Sequence, residues 1–225
     1  MNKIIITIDG WSSCGKSTMA RQLARELKYV FIDSGAMYRA ITLYFIRKGV
    51  ALQDPGAVQD ALKEIKLSFR YNAENGNNEI LLNGENVESF IREMDVAQKV
   101  SEVAALKAVR DFAVAQQQLI GRDKCIVMDG RDIGTAVFPE AELKIFMTAD
   151  QEVRVQRRLK ELKAKNPAIT IEDVRTNLAE RDLADSTREI SPLRKAADAV
   201  VLDNSFLGPE EQLALALKWA REKIG

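Results

Sequence analysis

Apolar and polar positions along the chain switch repeatedly between two periods. Ile4-Ile5-Ile6-Thr7-Ile8 is an unbroken β-branched run, after which Met19, Ala20, Leu23, Ala24 and Leu27 fall on one helical stripe. The same change recurs at Tyr29-Val30-Phe31-Ile32, followed by a helix carrying Met37, Ile41, Leu43, Tyr44 and Phe45 with Gly49 as its C-cap. Further strand-like runs are Cys125–Asp129, Leu143–Met147 and Ala199–Leu202, and the last precedes an amphipathic closing helix with Leu213, Leu217 and Trp219. Runs this short and apolar, alternating with helices, predict an α/β fold: a mainly parallel five-stranded sheet covered by helices on both faces.

Two stretches break the rhythm. After a short helix from Asp54-Pro55 through Ile65, residues 66–90 alternate apolar and polar around Asn75-Gly76 and Asn83-Gly84, strong hairpin signals, so a small antiparallel β-insert is predicted. Helical segments Ile91–Ala105 and Lys107–Ile120 follow. Later, a basic helix with Arg154, Arg157, Arg158 and Lys160 is broken by Lys165-Asn166-Pro167, and a further helix near Ile171–Arg181 leads into a loop. No repeat, linker or low-complexity tract interrupts the chain, which reads as a single domain over 1–225.

Composition narrows the function classes. A chain of 225 residues, 46% hydrophobic and 29% charged, is an ordinary globular protein with room for a packed core. Lys+Arg and Asp+Glu both number 33, so nothing in the overall charge favours long nucleic acid. The opening Met-Asn-Lys and its six-residue apolar run fall short of a signal-peptide core, and no stretch reaches membrane-spanning length, so a cytoplasmic location away from membranes is expected. Cys14 and Cys125 make no disulfide framework. With no histidine, Ser-His-Asp and Cys-His catalysis and His-ligated zinc are excluded, leaving metal, Lys, Arg and carboxylates to carry any chemistry.

The chemistry concentrates where the first run meets the first helix. Gly10-Trp11-Ser12-Ser13-Cys14-Gly15-Lys16-Ser17-Thr18 fits G-x-x-x-x-G-K-[ST], placed between a buried strand and a helix N-terminus as a phosphate cradle requires. Backbone amides of residues 13–18 are expected to hold the phosphates of ATP, Lys16 to bridge the β- and γ-phosphates, and Ser17 to ligate Mg²⁺. Cys14, among those amides and beside Lys16, is either an activated thiol or a small residue that fits.

Four other places offer functional groups. Asp129 ends a buried strand, where it either faces Mg²⁺ or its waters or caps the next turn. In the following Gly130-Arg131-Asp132, the two charged residues either face a ligand at the carboxyl end of the sheet or pair with each other. Asp33-Ser34-Gly35-Ala36-Met37-Tyr38-Arg39 is both a common helix start and a cluster of hydroxyl, phenol and guanidinium. Arg154, Arg157 and Arg158, with Arg181, Asp182, Asp185 and Arg188, form either a solvated face or a lid that closes over a transferring phosphoryl group.

At these residues the sequence resembles the bacterial cytidylate kinases, P-loop nucleoside monophosphate kinases. The resemblance covers nearly the whole chain: the loop at 10–18, residues 33–39, Asp129-Gly130-Arg131-Asp132-Ile133-Gly134-Thr135, Val137-Phe138-Pro139, Glu180-Arg181-Asp182 with Asp185 and Arg188, and Ser191-Pro192-Leu193. It implies an adenylate-kinase-like fold with a monophosphate-binding region at about 34–105, in which the β-insert at 66–90 is the bacterial type's enlargement, and a lid at about 150–185. It also implies phosphoryl transfer from MgATP to CMP or dCMP. By position, Ser34, Tyr38, Arg39, Arg131 and Arg188 would surround the acceptor, Ser101, Arg110 and Asp132 would read cytosine, and Arg181 and Asp185 would reach the sugar. Lys16, Arg131 and Arg188 would be catalytic, and Arg157 and Arg158 would join the loop in binding ATP. The expected partners are small nucleotides and the expected state a monomer.

The chain departs from the family pattern at Trp11, Ser13 and Cys14. Leu106-Lys107 also stands where a helix-breaking Pro often occurs, so a more continuous helix around Ser101 is expected. Another P-loop small-molecule kinase, of shikimate or uridylate type, is the nearest competing reading. A GTPase-type switch would need an Asn-Lys-x-Asp segment, which the chain lacks.

Overall fold

A computed structural model describes residues 2–74, 76–164 and 167–225. The predicted turn residue Asn75 and the helix-breaking Lys165-Asn166 lie outside the described residues. The fold is α/β: a five-stranded parallel sheet in the order β2 (Val30–Asp33), β6 (Ile126–Gly130), β1 (Ile5–Gly10), β7 (Leu143–Thr148), β8 (Val200–Asp203), and a separate three-stranded antiparallel sheet of β3 (Leu67–Asn72), β4 (Asn77–Leu82) and β5 (Glu85–Asn86). The chain forms two compact units, one from residues 1–29 and 124–225, the other from 30–123.

In the first unit β1 (Ile5–Gly10) leads through the glycine-rich loop into α1 (Lys16–Leu27). All six β1 residues are buried, because β1 pairs in parallel with β6 (Ile126–Gly130) on one side and β7 (Leu143–Thr148) on the other. A strand enclosed in this way has no solvated edge, which explains its continuous apolar run. The stripe predicted for α1 is the buried one: Met19, Ala20, Leu23 and Ala24 are at most 2% exposed. Burial of each such leucine or methionine contributes about 1.5–3 kcal/mol. β8 (Val200–Asp203) pairs with β7 in parallel, and α8 (Pro209–Ile224) closes the chain. The buried stripe of α8 is Gln212, Ala216 and Ala220; the predicted Leu213, Leu217 and Trp219 flank it, half-buried.

Between β7 and β8 stand α6 (Gln151–Lys163) and α7 (Ile171–Thr187), which share a small core of Val155, Val174 and Leu178 bordered by Leu159, Leu162, Ile169 and Ile171. α7 starts at a capping box in which Thr170 and Asp173 bond each other's backbone N–H. It runs past Arg181 to Thr187, six residues beyond the expected helix, because no Gly or Pro follows until Pro192. Arg181, Asp182 and Asp185 therefore sit on a helix and not in a loop.

The second unit holds β2 (Val30–Asp33), α2 (Ser34–Lys48), α3 (Pro55–Lys63), the small sheet, α4 (Met94–Ala105) and α5 (Lys107–Ile120). Strands β3 (Leu67–Asn72), β4 (Asn77–Leu82) and β5 (Glu85–Asn86) occupy the predicted insert. The β4–β5 connection is the expected Asn83-Gly84, both at positive φ (52° and 86°) as a two-residue hairpin of this sequence requires. The two helical segments read at 91–105 and 107–120 form, but the greater continuity expected around Ser101 does not. Leu106 is extended at φ −67°, ψ 127° and separates α4 from α5 without a proline. Its carbonyl accepts from the Arg110 amide, while the Arg110 guanidinium donates to the Ala104 carbonyl at 3.4 Å, so one side chain spans the break.

Candidate active site

β1 delivers the chain to the loop through a tight approach to β7. A Cβ on Gly10 would lie 1.9 Å from the Met147 carbonyl oxygen, which only glycine avoids. The loop then turns through Ser13 at φ 58° and Gly15 at φ 98° into α1. Lys16 is 6% exposed. Its ammonium donates to the Trp11 carbonyl at 2.6 Å and lies 3.7 Å from the Cys14 sulfur. Burial first, and then the Arg131 guanidinium, push the Lys16 pKa below the usual lysine range. The Ser17 hydroxyl donates to the Asp129 carboxylate at 2.6 Å, so Asp129 at the end of β6 faces the loop. A hydroxyl and a carboxylate side by side are oxygen donors of the kind a hard dication such as Mg²⁺ takes, with phosphates and water completing its shell. Among the described residues no group of three or more His, Cys, Asp and Glu forms an all-protein metal cage.

Arginines and carboxylates surround this loop in ordered pairs. Arg131 Nε donates to Asp185 at 2.6 Å, its Nη2 to the Ser12 hydroxyl at 3.0 Å and its Nη1 to the Gly130 carbonyl at 3.2 Å. Burial alone would raise the Asp185 pKa, but the Arg131 charge and hydrogen bond outweigh it and hold the group below the ordinary carboxylate range. Asp132, 4% exposed, pairs with Arg188 at 3.1 Å, and Arg188 also donates to the Ser191 carbonyl through Nε at 2.8 Å and Nη2 at 2.5 Å. Arg131 and Asp132 thus do not pair with each other. Asp182 accepts the Ser12 backbone N–H at 3.3 Å and a charged bond from Arg154, which also reaches the Ser12 carbonyl at 3.3 Å. Arg157 donates to the Asn204 carbonyl at 2.8 Å, and the Asn204 amide donates to the Cys14 carbonyl at 2.7 Å. Arg158 instead pairs with Glu161 at 2.9 Å on its own helix.

The second unit carries its own cluster. Asp33 caps α2 by accepting the Ala36 N–H at 2.8 Å, and its other oxygen pairs with Arg39 at 3.1 Å. Ser34, the first residue of α2, is buried. The Arg110 guanidinium, 2% exposed, lies over the Tyr38 ring at 5.6 Å. Ser101 is exposed on α4.

A model of the family described as cytidylate kinase matches residues 6–222. The chain belongs to the cytidylate kinase family. It is 54% identical to a cytidylate kinase of Bacteroides thetaiotaomicron over 100% of this chain and 98% of that one, and 54% identical to that of Porphyromonas gingivalis over 99% and 98%. A crystal structure of an uncharacterized protein from Eubacterium ventriosum shares the fold at a TM-score of 0.53 with 9% identity, covering 98% of this chain and 99% of that one.

In this cytidylate kinase family member, the structure gathers Lys16, Ser17, Asp129, Arg131 and Asp185 about one loop, and Asp132 with Arg188 beside it. Thr18 faces solvent at the start of α1, and Arg181 stands half-buried on α7. Two residues with structural duties at the site were missed in the sequence, Asp9 and Asn204, while Asp182 was read only as part of the cluster at 154–188. Asp9 was marked by a carboxylate closing an otherwise apolar strand. Asn204 carried no signal, since its loop partner is 190 residues away, and the bond that Asp182 makes to the loop backbone, 170 residues away, was hidden in the same way.

Proposed function

We propose that this protein transfers the γ-phosphoryl group of ATP to CMP or dCMP, giving ADP and CDP or dCDP in pyrimidine nucleotide metabolism. The observation that carries the reading is the Arg131-Asp132 turn beside the phosphate loop, which offers a guanidinium and a buried carboxylate, each tied to α7 or its C-terminus by an ion pair. In this reading Gly10, Trp11, Ser12, Ser13, Cys14, Gly15, Lys16, Ser17 and Thr18, with Arg157 and Arg158, bind ATP. Ser17 and Asp129 would hold magnesium, directly or through water, and the ion supplies charge neutralisation on the phosphates when bound. Ser34, Tyr38, Arg39, Arg131 and Arg188 serve the acceptor phosphate, Ser101, Arg110 and Asp132 the cytosine, and Arg181 and Asp185 the sugar.

The acceptor is a phosphate oxygen, already ionised near neutral pH, so no protein base is needed and positioning with charge neutralisation suffices. Lys16, Arg131 and Arg188 do this work. α6 and α7 act as the lid that excludes water. Cytosine presents an amino donor beside two acceptors; a carboxylate accepts from the first, and a guanidinium donates to the others. We place the enzyme in the cytoplasm as a monomer acting on small nucleotides; among the described residues no helix is long and apolar enough to cross a membrane. Coupled ADP release from MgATP with a panel of nucleoside monophosphates and shikimate tests the reading: CMP and dCMP are the expected acceptors, and a preference for any other acceptor overturns it.

A further inference from the structure

Asp9 is the next-to-last residue of β1, before Gly10, and its side chain reaches the backbone of the turn that follows β6. One carboxylate oxygen accepts the Ile133 N–H at 2.8 Å and the other the Gly134 N–H at 2.7 Å. These amides open a single wide turn, Ile133–Val137, whose own bonds run from Val137 N to the Asp132 carbonyl (3.3 Å) and from Phe138 N to the Ile133 carbonyl (2.7 Å). The first N–H groups of such a turn have no acceptor within it. Asp9 supplies both, directly behind Arg131 and Asp132. We propose that Asp9 is the positioning residue that fixes the Arg131-Asp132 turn, and through it the preference for the acceptor base.

Three observations favour positioning over plain structural support. The clamp needs an acceptor at both oxygens, which a carboxylate provides and an amide does not. The turn comes so close that a Cβ on Gly134 would lie 2.8 Å from the Thr7 hydroxyl and 3.3 Å from the second Asp9 oxygen, so Asp9 and Gly134 together set its distance from β1. Finally, the charge is held against its own preference. Burial, opposed by the two amide bonds and by Lys16 and reinforced by Asp132, pushes the Asp9 pKa up to about 6. A carboxylate kept charged at a cost to the fold is a mark of a functional position.

The inference rests on the CMP reading, and the experiment separates the two. Steady-state kinetics are measured on the full chain and on Asp9→Asn and Gly134→Ala, which disturb the turn from its two sides, with urea melts recording that each is folded. The expected result is a rise of about tenfold or more in KM for CMP and a fall of about tenfold in the CMP/UMP ratio of kcat/KM, with KM for ATP within about twofold of the parent. A ratio unchanged in the folded variants overturns the inference, and so does failure of both variants to fold, since the clamp would then serve stability. If the parent itself does not phosphorylate CMP, the functional reading falls instead.

Discussion

Arg131, just after β6, donates from Nε to Asp185, two residues from the end of α7, at 2.6 Å, with the two side chains only 20% and 22% exposed. The pair ties the sheet's carboxyl edge to the helix that also lays Asp182 against the loop backbone. Removing Asp185 leaves a largely buried guanidinium, so Asp185→Ala is expected to destabilise the protein by about 2–3 kcal/mol, somewhat under the cost of breaking a fully buried pair. Urea unfolding measures this. Because the folded pKa of Asp185 is depressed, its stabilisation is present above the unfolded carboxylate value of about 4 and is lost as pH falls below it. The difference between parent and Asp185→Ala should shrink on acidification through that range.

Asp9 carries the opposite sign. Its pKa rises from 3.8 unfolded to about 6 folded, so its protonation on folding stabilises the protein below pH 4 and that contribution is lost as pH rises through 6. By linkage the change is about 3 kcal/mol. Asp9→Asn has no such proton, and the difference in unfolding free energy between parent and variant at pH 4 and pH 7 should shift by about that amount against the parent.

Lys16 is already placed beside the loop carbonyl of Trp11, and its loss should act on turnover with the fold kept. Lys16→Ala is expected to lower kcat on the order of 10²–10³-fold with an unchanged urea midpoint.

Cys14 was open to two readings in the sequence, and its environment favours the small residue that fits. The residue is 0% exposed, with its carbonyl held by Asn204. Native protein treated with a thiol reagent should label at half-buried Cys125 well before Cys14, with activity retained at one equivalent. Rapid modification of Cys14 by mass spectrometry would show that the loop opens.

Ser13 holds a left-handed conformation at φ 58°, a region that glycine enters without steric cost. Ser13→Gly should relieve strain of about 1–2 kcal/mol, offset in part by the greater freedom of glycine in the unfolded chain. A small gain in the melting midpoint with activity kept is expected.

What could be read in the sequence and what could not follows the distance over which each feature is determined. The strand, loop and helix at 4–27 were legible because periodicity and the glycine spacing are local. So were the Asn83-Gly84 hairpin and the Asp33 cap. The helical segments on either side of Leu106 were legible too, but the absence of a proline there argued for a more continuous helix, and the Arg110 side chain that reaches the Ala104 carbonyl across the break carried no local signal. The pairing of Asp132 was equally hidden: its neighbour Arg131 was the obvious partner, yet Arg188, 56 residues on, takes it and leaves Arg131 to Asp185.

The most direct test of the account is the CMP/UMP ratio of kcat/KM in the parent, Asp132→Ala and Arg110→Ala. Uracil sets a carbonyl against a carboxylate and an N–H against a guanidinium, and a site built for one hydrogen-bond pattern rejects the other by as much as ~10⁴-fold. The account predicts a strong preference for CMP in the parent and a much larger loss for CMP than for UMP in Asp132→Ala. A ratio that survives both substitutions would contradict it.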